Sequence, residues 1–214
     1  MTDGPVVAVR GEAYREVPPE LARFQVTATA RERDREATLT RLAERAAAVR
    51  VLLDEHAAAL DRRETGDLRV RPETNRSGER VVGYHGSVTT GVTVIDFTVL
   101  AELMLRLADQ EQVQVAGPWW SLRPDSPARR EARHAAIADA LHRAREYAEA
   151  LGSRVTALLE LADADEGFGP TASGATFSYR MEKGAPPELE LDPQPQTVHA
   201  VVRARFTVSD PVLP

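Results

Sequence analysis

Two different hydrophobic periods alternate along this chain, and they restrict the folds open to it. In residues 22–30, ARFQVTATA, apolar and polar side chains alternate, as they do in a β-strand that buries one face. Between Asp34 and Leu60 the apolar residues recur at steps of three and four, which is the spacing of one face of an α-helix. Asp34 is the predicted N-cap of this helix, and Gly66 lies beyond its predicted end.

Four segments with strand character predict two hairpins in the first half of the chain. Residues 6–14, VVAVRGEAY, are predicted to pair with 22–30 across the turn-forming pair Pro18 and Pro19. Residues 68–73 are predicted to pair with 81–94, VVGYHGSVTTGVTV, across the turn-like cluster TNRSG.

Two further helices are predicted in the middle of the chain. Asp96 is the predicted N-cap of an amphipathic helix, and residues 113–123 then form a strand interrupted by a Gly-Pro pair. Ser126 as N-cap, Pro127 at the first helical position and Gly152 after the last periodic residue bound the third helix. The predicted inward stripe of this helix consists of His134, Ile137, Leu141, Ala144, Ala148 and Leu151.

The last part of the chain returns to strands. Residues 154–163, 175–181 and 198–208 are predicted strands, and 183–196 is a predicted exposed loop rich in acids and prolines. The order is ββαββ, then αβαβββ, with two long amphipathic helices and one shorter helix. Strands in hairpins with helices between them predict an α+β fold with a mixed, largely antiparallel sheet.

Composition excludes several classes of protein. A length of 214 residues suits a single domain, 1–214, or two lobes, about 1–95 and 96–214. Lys and Arg number 27 against 33 Asp and Glu, so the chain lacks the basic surface that nucleic-acid binding requires. There is no cysteine, no apolar run long enough for a membrane span and no signal-peptide pattern. We therefore expect a cytoplasmic protein.

Catalytic and metal-binding motifs are absent from the sequence. It contains no Walker loop, no Gly-x-Ser-x-Gly elbow and no His-Glu-x-x-His helix. The acidic stretch from Asp163 departs from calcium-loop spacing. His142 and Glu146 are four apart on a helix, but no third ligand lies nearby in the sequence. We predict no catalytic residue, no cofactor and no metal site.

Six residues remain as candidate contacts for an interface or a ligand. Trp119 and Trp120 point to opposite faces of a regular strand, so one enters the core and the other is partly exposed or anchors a partner. The remaining four are polar residues on the non-apolar faces of two strands that are candidate neighbours, His85 on one and His199, Arg203 and Arg205 on the other. The uncharged face around His85 favours packing or assembly, and the role of His85 stays open.

Several of these segments, in this order, resemble the SIMPL-domain family. The similarity rests on the opening strand VAVRGEA, the Pro19-Glu20 pair before residues 22–30, and GYHGSVTTGVTV. It extends to the alanine-rich helix that begins at Ala128 and to the closing strand 198–208. The resemblance implies an α+β protein that self-associates into large oligomers, has links to stress tolerance or protein interaction, and has no established catalytic residues.

Two hypotheses follow for function. The first is a non-enzymatic, cytoplasmic SIMPL-like protein that acts through self-assembly or a protein partner. The second is a small-molecule-binding protein or enzyme with a cleft between sheet and helices.

Overall fold

A computed structural model describes residues 4–164 and 189–212. The predicted strand 175–181 and the first part of the predicted loop 183–196 lie outside these residues. Within the described ranges the elements are β1 Val6–Val17, β2 Leu21–Glu32, α1 Arg35–Glu55, β3 Leu60–Thr74, β4 Val81–Val94, α2 Leu100–Ala108, β5 Val113–Ser121, α3 Pro127–Ala150, β6 Val155–Asp163 and β7 Gln196–Val208. The predicted α+β class and order of elements are confirmed.

The described strands form two antiparallel sheets, and each sheet belongs to one of two compact units. Unit 1 holds the three-stranded sheet β1-β7-β6 with α3, and unit 2 holds the four-stranded sheet β3-β4-β2-β5 with α1 and α2. The units are interleaved along the chain, because β1 and the segment from α3 onward share unit 1 while the elements from β2 to β5 share unit 2.

The predicted hairpin between residues 6–14 and 22–30 is wrong. β1 pairs along its whole length with β7, from Val6 opposite Thr207 to Val17 opposite Gln196. β2 pairs instead with β4 and β5. An alternating pattern shows that a strand has a buried face, but it does not show which strand is its partner.

The predicted hairpin of β3 and β4 is confirmed. Its turn is organised by Asn75, whose Oδ1 accepts hydrogen bonds from the backbone N–H groups of Glu79 and Arg80 at 3.1 and 3.3 Å. Asparagine favours such turns because its side chain bonds to the backbone a few residues further on.

In unit 1, α3 packs on the sheet through small side chains. Its buried residues are Ala128, Ala132, Ala136, Ala140, Ala144 and Ala148. The predicted stripe is therefore only partly right, because His134, Ile137 and Leu151 are exposed. The reason is the close approach of helix and strand: a Cβ atom built on Gly11 of β1 would lie 2.1 Å from the backbone oxygen of Ala136.

The predicted ends of α3 are confirmed. Ser126 occupies the N-cap position and Pro127 the first helical position, although no side-chain capping bond forms at that end. Gly152 follows the helix with φ +64°, a left-handed conformation that glycine adopts without strain.

In unit 2, α1 begins as predicted. The Asp34 carboxylate accepts a hydrogen bond from the N–H of Ala37 at 2.8 Å, which satisfies one of the unpaired donors of the first turn. The helix ends at Glu55, earlier than predicted, and Gly66 lies inside β3. Asp96 accepts bonds from the hydroxyl and N–H of Thr98 just before α2, and these bonds hold the pKa of Asp96 below its usual value.

The interruption predicted for the strand of residues 113–123 lies at Gly117 of β5. The register with β2 shifts between Arg23 and Gln25. Gly117 has φ +120°, and a Cβ atom there would lie 2.9 Å from the Cβ of Phe24. Only glycine meets both conditions without strain.

Candidate functional site

One face of the unit 1 sheet points away from α3 and carries most of its polar side chains. Alternate residues of β7, including Val198, Ala200 and Val202, lie in the core with α3, so the residues between them point to the opposite face. We call this surface the polar face. Its polar residues are Arg10, Glu12 and Tyr14 of β1 and His199, Arg203 and Arg205 of β7. Val201 lies between His199 and Arg203 on the same face and is buried, so the face is covered at that point.

At one end of the polar face two aromatic rings are stacked. Tyr14 lies opposite His199 in the strand register. Their ring centroids are 4.1 Å apart and the planes differ by 9°. The Tyr14 residue is 64% exposed, so the pair forms an accessible aromatic surface on the sheet.

His199 is only partly satisfied by the described residues. Its Nε2 atom is buried and has no hydrogen-bond partner among them. The nearest acidic group is the carboxylate of Glu12, whose Oε2 lies 3.8 Å from Nε2. That distance is too long for a hydrogen bond, and the same carboxylate oxygen lies 3.3 Å from a guanidinium nitrogen of Arg10.

The other end of the polar face is basic. Arg203 lies opposite Arg10, and Arg205 follows two residues later on the same face of β7. Glu12 pairs with Arg10, and Glu160 of β6 lies 3.3 Å from Arg205. Arg203 is exposed and makes no ion pair with the residues that the structure describes.

Unit 1 also exposes apolar side chains along β6, which is an edge strand of its sheet. Leu158 and Leu161 lie opposite Phe206 and Ala204, which face α3, so both leucines are on the helix side. They are nevertheless 54% and 44% exposed, because α3 packs chiefly over β1 and β7.

One flank of α3 also exposes an apolar side chain. The Asp139 carboxylate accepts a hydrogen bond at 3.0 Å from the N–H of Glu12 on β1. Ile137 lies two residues earlier and therefore on the opposite side of the helix, which is the side of β6, and it is 39% exposed. We call Leu158, Leu161 and Ile137 the apolar edge.

The two edges of the unit 1 sheet differ. At the β1 edge, the Asp139 carboxylate occupies the N–H of Glu12, so an added strand has fewer free donors there. No strand of the described chain pairs with the outer edge of β6. β6 contains no proline and no basic residue, which are the residues that commonly protect an edge strand. Its protective features are the acidic residues Glu160 and Asp163 and two register irregularities with β7.

In unit 2 the side chains of the two tryptophans point to opposite faces of β5, as expected for adjacent residues of a strand. Trp120 packs against the core, and its ring meets Phe97 edge-on at a centroid distance of 5.0 Å. Trp119 is 38% exposed, and it lies opposite Arg23 on the face away from the helices. Whether Trp119 contacts a partner stays a prediction.

His85 lies between two basic residues on the open face of the unit 2 sheet. Gly86 faces α1, where a Cβ atom would contact Thr38 and Leu42, so His85 points away from the helix. Its neighbours across the strands are Arg31 and Arg71.

The expectation that the strands of His85 and His199 are neighbours is wrong, because β4 and β7 belong to different sheets. All four predicted polar contacts, His85, His199, Arg203 and Arg205, also lie on faces turned away from the helices of their own unit. These residues therefore do not line a cleft between a sheet and the helices of the same unit.

Two places in the described chain bring together side chains of the types that bind metals. Glu32, Asp34, Glu36 and Glu44 line a shallow depression beside the start of α1, together with Arg41. His142 and Glu146 lie 3.3 Å apart on the exposed side of α3. Within residues 4–164 and 189–212, no three His, Cys, Asp or Glu side chains are placed to hold a metal ion.

Sequence reasoning selected three residues of the polar face and missed Arg10, Glu12 and Tyr14. The alternation of residues 6–14 places these three on one side of a strand. Their relation to His199 and Arg203 depends on the pairing of β1 with β7, and the predicted pairing was a different one.

In the residues that the structure describes, the fold is α+β, with one antiparallel sheet packed against α3 and a second packed against α1 and α2. No helix in the described part of the chain is long and apolar enough to cross a membrane. The chain belongs to the SIMPL family, described as a protein of unknown function (DUF541), whose sequence model matches residues 7–206. The resemblance noted from the sequence is thus confirmed. No curated protein matches the chain significantly.

Proposed function

We propose that this protein acts without catalysis, by self-assembly or by binding a protein partner through the apolar edge. The observation that carries the proposal is the exposure of Leu158 and Leu161 on an edge strand. Contiguous exposed apolar surface commonly marks a protein–protein interface, and a strand edge offers backbone groups that a second strand can pair with.

The charges of β6 are compatible with such a contact. Glu160 is paired with Arg205, and Asp163 also has a partner within the chain. An approaching protein therefore meets leucines and a backbone edge rather than unpaired acids. The family resemblance supports self-assembly over a foreign partner, and it also supports a stress-related role as part of this proposal.

The test is the oligomeric state of the purified chain across micromolar concentrations, measured by light scattering and sedimentation velocity. We expect the wild-type chain to assemble and the double variant Leu158→Arg, Leu161→Arg to be monomeric. The control is Leu68→Arg, which alters a leucine of β3 that is also exposed. Circular dichroism establishes that each variant is folded.

Two results would contradict the proposal. One is a wild-type chain that is monomeric at every concentration and that recovers no partner from cell extract. The other is loss of assembly in Leu68→Arg to the same extent as in the double variant, because the apolar edge would then have no particular role.

A further inference from the structure

We propose that the polar face of unit 1 binds a phosphorylated ligand with a planar ring, of the nucleoside diphosphate class. This site lies on the face of the sheet opposite to α3, whereas the leucines of the apolar edge lie on the helix side. The inference is therefore independent of the proposed assembly function.

The basic end of the polar face supplies the group for a phosphate. Arg203 is exposed and unpaired among the described residues, and it lies directly opposite Arg10. Like charges opposite one another on a sheet are destabilising, and an anion between them removes that repulsion. A guanidinium group also matches the geometry of a phosphate, because it donates two parallel hydrogen bonds.

Arg205 extends the same basic row. Its partner Glu160 is itself largely exposed, and the two side chains are 3.3 Å apart. Exposed ion pairs of this kind contribute little free energy, so Arg205 adds positive potential to the row while it stays paired with Glu160.

The other end of the polar face supplies a surface for a ring. Tyr14 is stacked on His199 through one face of its ring and remains 64% exposed. A nucleobase stacks favourably on an accessible aromatic side chain. Because His199 lies against one face of the tyrosine ring, the opposite face of that ring is the one available to a ligand.

The spacing along β1 places a third group between these two ends. Residues two apart on a strand are about 7 Å apart on the same face. The Cα atom of Glu12 therefore lies about 7 Å from the Cα atom of Tyr14. The Cα atom of Arg10 lies about 14 Å from that of Tyr14. The carboxylate of Glu12 accepts hydrogen bonds, as the hydroxyl groups of a sugar require. The order of ring surface, carboxylate and guanidinium groups is that of base, sugar and phosphates in an extended nucleotide.

Isothermal titration calorimetry of the full chain tests the site, with adenosine diphosphate, pyrophosphate and adenosine as separate probes. We expect adenosine diphosphate to bind more tightly than pyrophosphate, and adenosine to bind most weakly. Arg203→Gln should reduce the affinity for adenosine diphosphate by about 10- to 100-fold, because one charge-assisted contact is lost. Arg203→Lys should restore part of it, since the charge returns without the bidentate geometry.

The second variant separates ring recognition from anion recognition. Tyr14→Ala should lower the affinity for adenosine diphosphate and leave the affinity for pyrophosphate unchanged. The matched control is Arg76→Gln in the turn between β3 and β4, an exposed arginine in unit 2, which should change neither affinity. Both site residues are exposed, so these variants are expected to fold, and circular dichroism establishes this.

The outcomes that overturn the inference are specific. If none of the three probes binds at millimolar concentration, the proposed site does not exist. Equal losses in Arg203→Gln and Arg76→Gln mean that only net charge matters. If Tyr14→Ala binds adenosine diphosphate like the wild type, the assigned ligand class is wrong. The titrations are repeated with the double variant Leu158→Arg, Leu161→Arg. We expect this variant to bind adenosine diphosphate with the affinity of the wild type, and loss of binding would contradict the independence of the site from assembly.

Discussion

The substitution Gly11→Ala tests the packing that holds α3 against its sheet. The added Cβ atom would lie 2.1 Å from the oxygen of Ala136 and 2.5 Å from the nitrogen of Ala140, where an ordinary contact is 3.4 Å or more. Both of these atoms belong to the helix backbone, so no side chain can rotate out of the way. The helix must move by roughly 1.3 Å, or the strand must bend.

The expected loss of stability follows from this displacement. The six buried alanine methyl groups of α3 contribute about 0.8 kcal/mol each when fully packed. A gap of about 1 Å removes about a quarter to a half of the contact energy, which is about 1–2.5 kcal/mol here. Strain from overpacking adds about 1–3 kcal/mol. After allowing about 0.5 kcal/mol for the stiffer unfolded chain, we expect Gly11→Ala to reduce the free energy of unfolding by about 1.5–5 kcal/mol.

Urea denaturation followed by far-ultraviolet circular dichroism measures this change. The matched control is Gly91→Ala in β4, where the nearest atom to the new Cβ is 3.9 Å away, and we expect a change within about 0.5 kcal/mol. Because unit 1 alone is affected, the Gly11→Ala transition should broaden or split into two steps. Equal stabilities for the two alanine variants would refute the close approach of α3 to β1.

Five further substitutions, which make up three tests, probe other parts of the fold by thermal and urea denaturation. Trp120→Ala should lower the free energy of unfolding by about 2–4 kcal/mol through lost core packing. Trp119→Ala should change the free energy of unfolding by less than about 1 kcal/mol. Similar losses in the two variants would contradict the faces assigned to the two tryptophans. Asp34→Ala should cost about 1 kcal/mol and Asp34→Asn much less, since asparagine also caps helices; equal costs would argue against the cap. Gly117→Ala should cost about 2–3 kcal/mol, because φ is +120° and Phe24 lies close; wild-type stability would argue against that conformation.

Local features of the chain could be predicted from the sequence because each depends on a few adjacent residues. Asp34 caps α1 and Gly152 follows α3 in a left-handed conformation, and both follow from short-range rules. The hairpin of β3 and β4 was predictable for the same reason, since its turn bonds form around Asn75. The inward face of α3 was harder, because its position depends on Gly11 in a distant strand.

The pairing of β1 with β7 could not be read from the sequence, and the polar face depends on it. Both strands alternate correctly, but the alternation of one strand is compatible with many partners. A hairpin is the default expectation because neighbouring strands in sequence usually pair. Here the link through Pro18 and Pro19 leads from one sheet to the other, so Tyr14 meets His199 from the far end of the chain.

β7 lies in the middle of the unit 1 sheet, and its two faces contribute to different parts of the unit. One side of β7 packs under α3, and its other side displays His199 and Arg203. A substitution of Arg203 therefore changes the polar face without altering the core, and a substitution of Leu158 in β6 changes the apolar edge without altering β7. For this reason ligand binding and assembly should respond to different variants. A variant of one surface that also abolished the activity of the other would show that the two are coupled through the sheet.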